Sequence, residues 1–215
     1  MPSITEECSA TWANFQEHAP DFAKGPVIAS RNDIISKFNL SAVVKKGQRL
    51  PEFELQDALG KSVSSKELLS TGALLITFYR GSWCPFCNIA LRHLQAHIDD
   101  FAHLGVTLVA ISPELPDTSL TTTEKLELKF TVLSDVGNGF ARQLGIVWKQ
   151  PDPLRPVFDK FGHNLQGRNG DDSFEVPVPT TLLVDKDGIV RNIHVDPNYT
   201  TRLDPEVALG WAKAL

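Results

Sequence analysis

Apolar and polar positions along the chain follow a helical period up to about residue 45. Ser3–Glu6 has a capping-box sequence, in which side chains at a helix start satisfy free backbone amides, and it predicts a helix from about Ile4 to His18. Two prolines and a glycine interrupt the pattern between residues 20 and 26, and a second helix is predicted from about Ser30 to Leu40. Residues 1–45 are therefore predicted to form an N-terminal helical extension.

From Pro51 onward, short β-rich runs alternate with amphipathic helices, which is typical of a sheet with crossover helices. The strongest predicted strands are Ala73–Tyr79, Val106–Ser112 and Thr181–Val184. The first two are nearly continuous apolar runs, as expected of central strands that are covered on both faces. Asp185–Gly188 is a predicted turn into the strand Ile189–Val195, which makes a hairpin at one side of the sheet.

Shorter elements are predicted around these strands. A short strand is expected near Phe130–Leu133, and helices are expected near Leu120–Leu128, Asn138–Leu144, Leu154–Phe161 and Pro205–Ala214. The stretch 150–179 is rich in proline, glycine and aspartate, and is otherwise expected to be a loop.

Composition narrows the class of protein. A chain of 215 residues with 42% apolar and 22% charged residues suits one globular α/β core plus an extension. The formal net charge of −5 disfavours nucleic acid and anionic membranes, because phosphate binding needs a concentrated basic surface. No apolar run is long enough to span a bilayer, and Met1–Ala10 lacks the pattern of a secretory signal. Three cysteines are too few for a disulfide-stapled secreted scaffold, so a cytoplasmic protein is expected.

The segment Phe78–Cys87 lies where a central strand ends and a long helix is predicted to begin. Pro85 suits the first helical position, where its missing amide would be unpaired anyway, and this places Cys84 near the N-cap. A thiolate there can accept hydrogen bonds from free amides and is favoured by the positive helix end, so the pKa of Cys84 should be lowered. Cys87 lies one turn further on, in an apolar stripe with Leu91, Leu94, Ile98 and Phe101.

The helix position predicts an exposed attacking thiol at Cys84 and a shielded resolving thiol at Cys87, the arrangement used in thiol-disulfide exchange. Two structural cysteines, or a zinc site with His93 and His97, are the alternatives. No second Cys-x-x-Cys exists and the two histidines are expected at the surface, so no metal or other cofactor is predicted. Cys8 is expected to pack against the domain as a helix residue, with a third redox thiol as the alternative.

Five stretches of the chain match a known family pattern: Phe78–Cys87, Val109–Pro113, Leu133–Asp135, Pro177–Asp185 and Asp196–Thr200. With them, the run from Gln48 to Leu215 resembles the alkyl hydroperoxide reductase and thiol-specific antioxidant superfamily, and more narrowly its peroxiredoxin-like branch bearing a Cys-Pro-x-Cys motif. The resemblance implies an α/β, thioredoxin-like fold of the peroxiredoxin type, with a central mixed sheet flanked by helices. That domain is expected to span residues 46–215, after the extension of residues 1–45.

The same resemblance shows where the chain departs from typical peroxiredoxins. In those proteins a proline and a threonine precede the peroxide-attacking cysteine, which aligns with Cys87, but Arg80 and Cys84 occupy the two places here. The peroxide-orienting arginine would fall at Pro179, which instead matches the cis-proline beside the active cysteines of thioredoxins. Trp83 matches the tryptophan before the thioredoxin pair, or is a packing aromatic. Arg80 could stabilise a thiolate, polarise peroxide, or be a solvated loop residue.

Three functions remain open from the sequence. A thiol peroxidase would reduce hydrogen peroxide or organic hydroperoxides, form a sulfenic acid, and resolve it as a Cys84–Cys87 disulfide. A thioredoxin-like disulfide oxidoreductase would act on protein thiols, and a redox sensor would use the same disulfide without turnover. The peroxidase is favoured by the resemblance, which implies a hydroperoxide or disulfide substrate and a thiol reductant such as thioredoxin, glutaredoxin or glutathione. Family members often dimerise, and the helical extension could serve that purpose.

The two resemblances disagree on which sulfur attacks. The peroxiredoxin alignment places Cys87 at the attacking position. The thioredoxin alignment and the physics of the helix end favour Cys84, which lies at the cap and is followed by Pro85. Cys84 is therefore predicted to be the nucleophile.

Overall fold

The computed structural model describes residues 2–215. The helices are α1 (Ile4–His18), α2 (Asp21–Lys37), α3 (Ser65–Leu69), α4 (Pro85–Ala96), α5 (Ile98–His103), α6 (Pro116–Lys125), α7 (Gly139–Gln143), α8 (Arg155–Lys160), α9 (Leu165–Asn169) and α10 (Pro205–Ala212). The strands are β1 (Glu54–Asp57), β2 (Ser62–Ser64), β3 (Ala73–Phe78), β4 (Val106–Ser112), β5 (Thr131–Ser134), β6 (Val147–Lys149), β7 (Glu175–Pro177), β8 (Thr180–Val184) and β9 (Val190–Val195). Within residues 2–215, no helix is long and apolar enough to cross a membrane.

Seven strands form one mixed sheet in the order β2-β1-β5-β4-β3-β8-β9. The three strands β3, β4 and β5 run parallel, while β8 pairs antiparallel with β3 and with β9. Every residue of β3 and β8 is buried, as the apolar runs predict for central strands. The α/β fold with a mixed central sheet is therefore confirmed, and so is the β8–β9 hairpin.

An apolar core lies on each face of this sheet. Along β3, Leu75 packs into one core while Leu74 and Ile76 pack into the other, because successive strand residues point to opposite faces. The core that contains Leu75 also contains α4 and both candidate cysteines. Ile4 and Ile34 of the N-terminal helices pack into this same core, so the extension lies against the helix that carries the cysteines.

The N-terminal segment shows one confirmed and one corrected element. Helix α1 has the predicted bounds, and Ser3 and Glu6 form the predicted capping box. Helix α2 begins at Asp21 rather than near Ser30 and runs through Pro26. A proline ring normally clashes with the Cβ of the preceding residue, but Gly25 has none, so the helix continues with one hydrogen bond missing. The division of the chain at residue 45 stays a prediction.

Two further predictions differ from the structure. The long helix after Cys84 is broken at His97, whose φ of −109° and ψ of 14° are not helical, so α5 is a separate helix. The stretch 150–179 holds two short helices, α8 and α9, and the strand β7, where one helix was predicted. Strand β7 pairs with β6 over three residues each, which is too short for a hydrophobic period to be visible in the sequence.

Gly145 should be a stability determinant, because it combines a φ of +71° with close packing. A Cβ there would lie 2.3 Å from the carbonyl oxygen of Ala42, whereas at Gly137, with a φ of +76°, it would meet nothing within 4 Å. We expect Gly137→Ala to lower the free energy of unfolding by about 1–2 kcal/mol through the left-handed backbone alone. Gly145→Ala should lower it further, as measured by urea denaturation. If both variants lose the same unfolding free energy, the backbone near Ala42 moves to accommodate the added Cβ at no measurable cost.

Candidate active site

Helix α4 places the two cysteines at the carboxyl end of β3. Pro85 is the first helical residue and Cys84 is the N-cap, as predicted. The Cys84 carbonyl accepts hydrogen bonds from the N–H groups of Cys87 and Asn88 at 3.1 Å each. No close capping hydrogen bond to the Cys84 side chain is formed, and the backbone N–H of Cys87 has the smallest of the effects that lower the pKa of Cys84. Any stabilisation of a thiolate must therefore come largely from other groups.

Both cysteines are buried. Cys84 and Cys87 each have 0% exposed surface, so the prediction of an exposed attacking thiol is wrong. Position on a helix does not decide burial here, because residues from distant parts of the chain cover the start of α4. Arg80 contacts the sulfur of Cys84, and Arg202 contacts both sulfurs. All three cysteines of the chain are present as free thiols.

Two guanidinium groups lie over the sulfurs. Nη2 of Arg80 is 3.6 Å from Sγ of Cys84. Nη2 of Arg202 is 3.1 Å from Sγ of Cys87 and 4.0 Å from Sγ of Cys84, so it bridges the pair. Arg202 is held in place because its Nη1 donates to the carbonyl oxygens of Tyr199 and Thr201, both at 2.6 Å. Two positively charged side chains therefore lie within 4.0 Å of the sulfur pair.

Arg80 is a buried part of the site and not a solvated loop residue. Its guanidinium carbon lies 4.7 Å from the ring centroid of Trp83 and 3.9 Å from that of Tyr199, so aromatic rings hold it by cation–π contacts. Burial by itself lowers the pKa of Arg80, but the nearby Cys84 and Tyr199 more than offset this effect and raise the pKa above its ordinary value. The guanidinium therefore remains charged in an apolar setting.

The two thiols have opposite pKa shifts. Burial raises the pKa of Cys84, but the hydrogen bond from the Cys87 thiol and the charges of Arg80 and Arg202 outweigh burial, and the pKa falls well below its ordinary value. Burial also raises the pKa of Cys87, and the hydrogen bond to Cys84 with its negative charge raises it further. Arg202 lies nearer to Cys87, yet it offsets only part of these effects. The arrangement favours a thiolate at Cys84 and a protonated thiol at Cys87.

A buried carboxylate shapes the loop before Cys84. Glu114 has 0% exposed surface and accepts hydrogen bonds from the backbone N–H and the hydroxyl of Ser82, both at 2.8 Å. Arg168 lies 3.6 Å from the same carboxylate. At Gly81, with a φ of +144°, a Cβ would lie 2.4 Å from Nε1 of Trp83, so only glycine lets the loop pass the indole. These contacts fix the loop that carries Arg80 and Trp83.

Pro179 does not have the predicted conformation. No cis peptide bond occurs within residues 2–215, so the bond before Pro179 is trans and the thioredoxin-like prediction is wrong. The neighbouring residues explain this: Val178 donates its N–H to the carbonyl oxygen of Ile146 at 2.7 Å, and Thr180 pairs with Phe78 in the sheet. The trans form satisfies both contacts, and it is favoured by about 0.5–1 kcal/mol in X–Pro bonds. Pro179 itself is buried beyond the carboxyl end of β3.

Trp83, Pro85 and His93 are the remaining residues whose positions the sequence analysis addressed. Trp83 is half-buried and packs on Phe158 with ring centroids 4.9 Å apart, while Pro85 is exposed. His93 is buried and lies 3.1 Å from a carboxylate oxygen of Glu7, so its prediction as a surface residue is wrong. Among residues 2–215, no group of three or more His, Cys, Asp or Glu side chains is arranged to hold a metal ion.

Cys8 packs as predicted. It is buried at 3% exposure in the same apolar core as Cys84 and Cys87. It lies on α1, which packs against α4, so a helix of the extension brings a third thiol into the core of the site.

Arg202 and Glu114 are the site residues that sequence reasoning missed. Arg202 follows two residues after the stretch Asp196–Thr200, and Glu114 follows directly after Val109–Pro113, both of which carry the family resemblance. A charged residue just beyond such a stretch could have been named as a candidate site residue. The sequence contains no sign, however, that either residue returns to the start of α4.

Comparison with known proteins identifies the family. The family model described as AhpC/TSA matches residues 46–193. Peroxiredoxin Bcp of Escherichia coli strain K12 is 26% identical over 170 residues, covering 79% of this chain and 96% of the relative. Chloroplastic Peroxiredoxin Q of Populus jackii is 29% identical over 170 residues, covering 79% of this chain and 67% of the relative.

A solved structure shares the fold. The crystal structure of Peroxidoxin BcpB from Mycobacterium tuberculosis aligns with a TM-score of 0.62 at 22% identity, over 80% of this chain and 98% of that one. The family match spans more than half of the chain and includes β3, α4 and both buried cysteines. The chain therefore belongs to the AhpC/TSA family, as a peroxiredoxin-like thiol peroxidase with the thioredoxin-like fold that the sequence predicts.

Proposed function

We propose that this enzyme reduces hydroperoxides with Cys84 as the attacking thiolate and Cys87 as the resolving thiol. The observation that carries the proposal is the pair of buried sulfurs beneath two guanidinium groups, one beside Cys84 and one bridging both. Arg80 and Arg202 offset the cost of burying a negative sulfur, and the Cys87 thiol donates its hydrogen bond to that sulfur. Because Arg202 reaches both sulfurs, the nucleophile and its resolving partner are neighbours before any reaction begins.

The proposed cycle has three balanced steps. The Cys84 thiolate attacks the terminal oxygen of ROOH, the O–O bond breaks, and the departing alkoxide takes a proton to leave as ROH. The sulfur, oxidised by two electrons, becomes a sulfenic acid. Cys87 then attacks that sulfur, a Cys84–Cys87 disulfide forms, and the hydroxyl leaves as water. Two reduced thiols supply two electrons and two protons to restore the pair.

Burial of the cysteines favours peroxide over a protein disulfide as the first substrate. A hydroperoxide is small enough to reach a sulfur with 0% exposed surface after a local side-chain movement, whereas a protein disulfide needs an open approach. The Cys-x-x-Cys spacing and a cis-proline at Pro179 would favour a thioredoxin-like oxidoreductase, and the trans bond before Pro179 removes the second of these. That function and the redox sensor remain the alternatives.

The proposal includes a reductant and a location. We assign the reducing role to a cellular thiol such as glutathione, glutaredoxin or thioredoxin, and the cytoplasm as the compartment, because three cysteines do not suit a disulfide-stapled secreted protein. Residues 46–215 are proposed as the catalytic domain with residues 1–45 as its extension. A homodimer is proposed on the family resemblance alone.

Steady-state turnover tests the function directly. The purified protein should reduce hydrogen peroxide or an organic hydroperoxide with at least one of these thiol reductants, and should reduce insulin disulfides far more slowly. Mass spectrometry of peroxide-treated, alkylated protein should then find the Cys84–Cys87 disulfide. Insulin reduction as fast as peroxide turnover would favour the oxidoreductase, and reversible oxidation without turnover would favour the sensor.

Single cysteine variants should identify the attacking sulfur. Cys87→Ser should still consume one equivalent of peroxide and accumulate a sulfenic acid on Cys84, because the thiolate and both arginines remain. Cys84→Ser should lose the fast reaction, since burial, the largest cause of the raised pKa of Cys87, remains after the negative charge of Cys84 is removed. Trapping with dimedone and peptide mass spectrometry measures both. Cys8→Ala is the matched control and should keep the wild-type rate, whereas a trapped Cys87 sulfenic acid in Cys84→Ser would assign the attack to Cys87.

The pH dependence of peroxide consumption should follow the lowered pKa of Cys84. The reactive thiolate is present above that pKa and is lost only as the pH falls through it, so the rate should stay constant down to a pH well below the ordinary pKa of a cysteine thiol. Arg80→Met and Arg202→Met should each raise the pKa by about 1–3 units, as expected for losing an opposite charge in contact.

Ultraviolet absorbance of the thiolate, recorded against pH, measures these shifts. Arg92→Met is the matched control, because Arg92 lies on the same helix but pairs with Glu7. That variant should titrate as the wild type does. An unchanged pKa in both Arg80→Met and Arg202→Met would show that the arginines do not stabilise the thiolate.

A further inference from the structure

The side chain of Arg202 is held by the turn that carries it. Residues 196–204 form neither helix nor strand between β9 and α10. Nη1 of Arg202 donates to the carbonyl oxygens of Tyr199 and Thr201, and Nη2 contacts the two sulfurs. Because backbone oxygens hold the guanidinium, the backbone conformation of residues 196–202 (the Arg202 turn) determines where this positive charge lies.

Asn198 stabilises the Arg202 turn through both its side chain and its backbone. Its Oδ1 accepts a hydrogen bond from the hydroxyl of Thr200 at 2.7 Å and a longer one from the N–H of Thr200 at 3.4 Å. The N–H of Asn198 donates to Asp196 at 2.8 Å, and its carbonyl oxygen accepts the hydroxyl of Thr201 at 2.9 Å. Side-chain hydrogen bonds of this kind fix the backbone of turns. The position of Asn198 is therefore coupled to the backbone that holds the arginine.

Arg31 of the N-terminal extension holds Asn198. Its Nε donates to Oδ1 of Asn198 at 3.0 Å, across 167 positions of sequence. The guanidinium carbon of Arg31 lies 5.0 Å from the ring centroid of Trp12, so an aromatic contact with α1 also restrains this side chain. A planar guanidinium donates in a fixed direction, which suits it to holding an acceptor in place. Oδ1 of Asn198 therefore has partners both inside the turn and in the extension.

The same turn supports the second arginine of the site. The ring centroid of Tyr199 lies 3.9 Å from the guanidinium carbon of Arg80, and the hydroxyl of Tyr199 lies 3.5 Å from the carbonyl oxygen of Val27 in α2. A displaced Arg202 turn would therefore move the Tyr199 ring together with the Arg202 charge. Coulomb energy falls as charges move apart, so this displacement would weaken the stabilisation of a negative sulfur at Cys84.

These supporting contacts lie outside the range that the family model matches. The AhpC/TSA model matches residues 46–193 (the family region). Arg31 precedes this range and the Arg202 turn follows it. Parts of the chain on either side of the family region therefore combine to hold the positive charges of the site.

We propose that Arg31 is a positioning residue, which acts through Asn198 to hold the Arg202 turn in place. In that place the turn keeps Arg202 on the two sulfurs and Tyr199 on Arg80. The chemistry rests on the proposed peroxidase function, in which Cys84 is the attacking thiolate. The N-terminal extension thereby controls the reactivity of a thiol that it does not carry.

Titration of the thiolate tests the positioning role. Arg31→Met should raise the pKa of Cys84 by about 1 unit, the lower end of what an opposite charge in contact contributes, because Arg202 is displaced and not removed. Asn198→Ala should raise it in the same direction. Arg31→Lys, which keeps a donor for Asn198, should titrate closer to the wild type than Arg31→Met does. Ultraviolet absorbance of the thiolate, recorded against pH, measures all three.

Lys37→Met is the matched control. Lys37 is also a cation of α2, but it pairs with Asp33 within that helix. Its removal changes the charge of the extension and leaves the Arg202 turn untouched, so the pKa of Cys84 should equal that of the wild type. A shift as large as that of Arg31→Met would show that the loss of any positive charge in α2 is enough, and it would overturn the positioning role.

A double variant distinguishes contact from charge. If Arg31 acts through Asn198, the combined Arg31→Met and Asn198→Ala protein should shift the pKa of Cys84 no further than Asn198→Ala does alone, because the two residues belong to one path. Shifts that add would show that Arg31 acts independently of Asn198, and the proposed path would be wrong. If Arg31→Met fails to fold, Arg31→Gln, whose shorter side chain does not span the same distance, takes its place.

The titration also separates this inference from the proposed function. A raised pKa of Cys84 in both Arg31→Met and Asn198→Ala, in a protein without peroxide turnover, would leave the positioning role standing and overturn the peroxidase function. Peroxide turnover by the wild type, with an unchanged pKa of Cys84 in both variants, would overturn the positioning role alone.

Discussion

The site depends on one requirement: a negatively charged sulfur must be stabilised inside an apolar core. Removing a thiolate from water favours its protonation, and Cys84 has no exposed surface. The charges of Arg80 and Arg202, together with the hydrogen bond from Cys87, reverse that preference. The helix end contributes less, because no close capping hydrogen bond is formed and the backbone N–H of Cys87 has the smallest of the effects that lower the pKa of Cys84. Nucleophilicity here is therefore a property of the folded chain more than of α4.

Burying the two charged arginines costs free energy unless other groups contact them. Segments from distant parts of the chain make these contacts. Tyr199 packs on the Arg80 guanidinium, and its hydroxyl lies 3.5 Å from the carbonyl oxygen of Val27 in α2. Arg31 of α2 donates to the side chain of Asn198 at 3.0 Å. The extension is thus hydrogen-bonded to the segment that carries both Tyr199 and Arg202. Helices outside the family region therefore contact the segment that holds the two arginines beside the cysteine pair.

Most of the fold was predictable because its signals are local. The capping box of α1, the apolar runs of β3 and β4, and the turn before β9 each follow from neighbouring residues, and the structure confirms them. Elements that depend on partners elsewhere were missed. The strand β7 exists because its three residues pair with β6, and α2 continues through Pro26 because Gly25 has no Cβ to clash with the proline ring.

The sequence by itself determined that Cys84 begins a helix, that Pro85 follows it in the first turn, and that Cys87 lies one turn further on. These facts depend on backbone geometry over four residues. Tertiary structure decided that both sulfurs are buried and that the bond before Pro179 is trans. It also decided that Arg202 reaches the pair across 115 positions of sequence. Burial and charge act through space, and no local pattern reports which distant residues the completed sheet brings to its carboxyl edge.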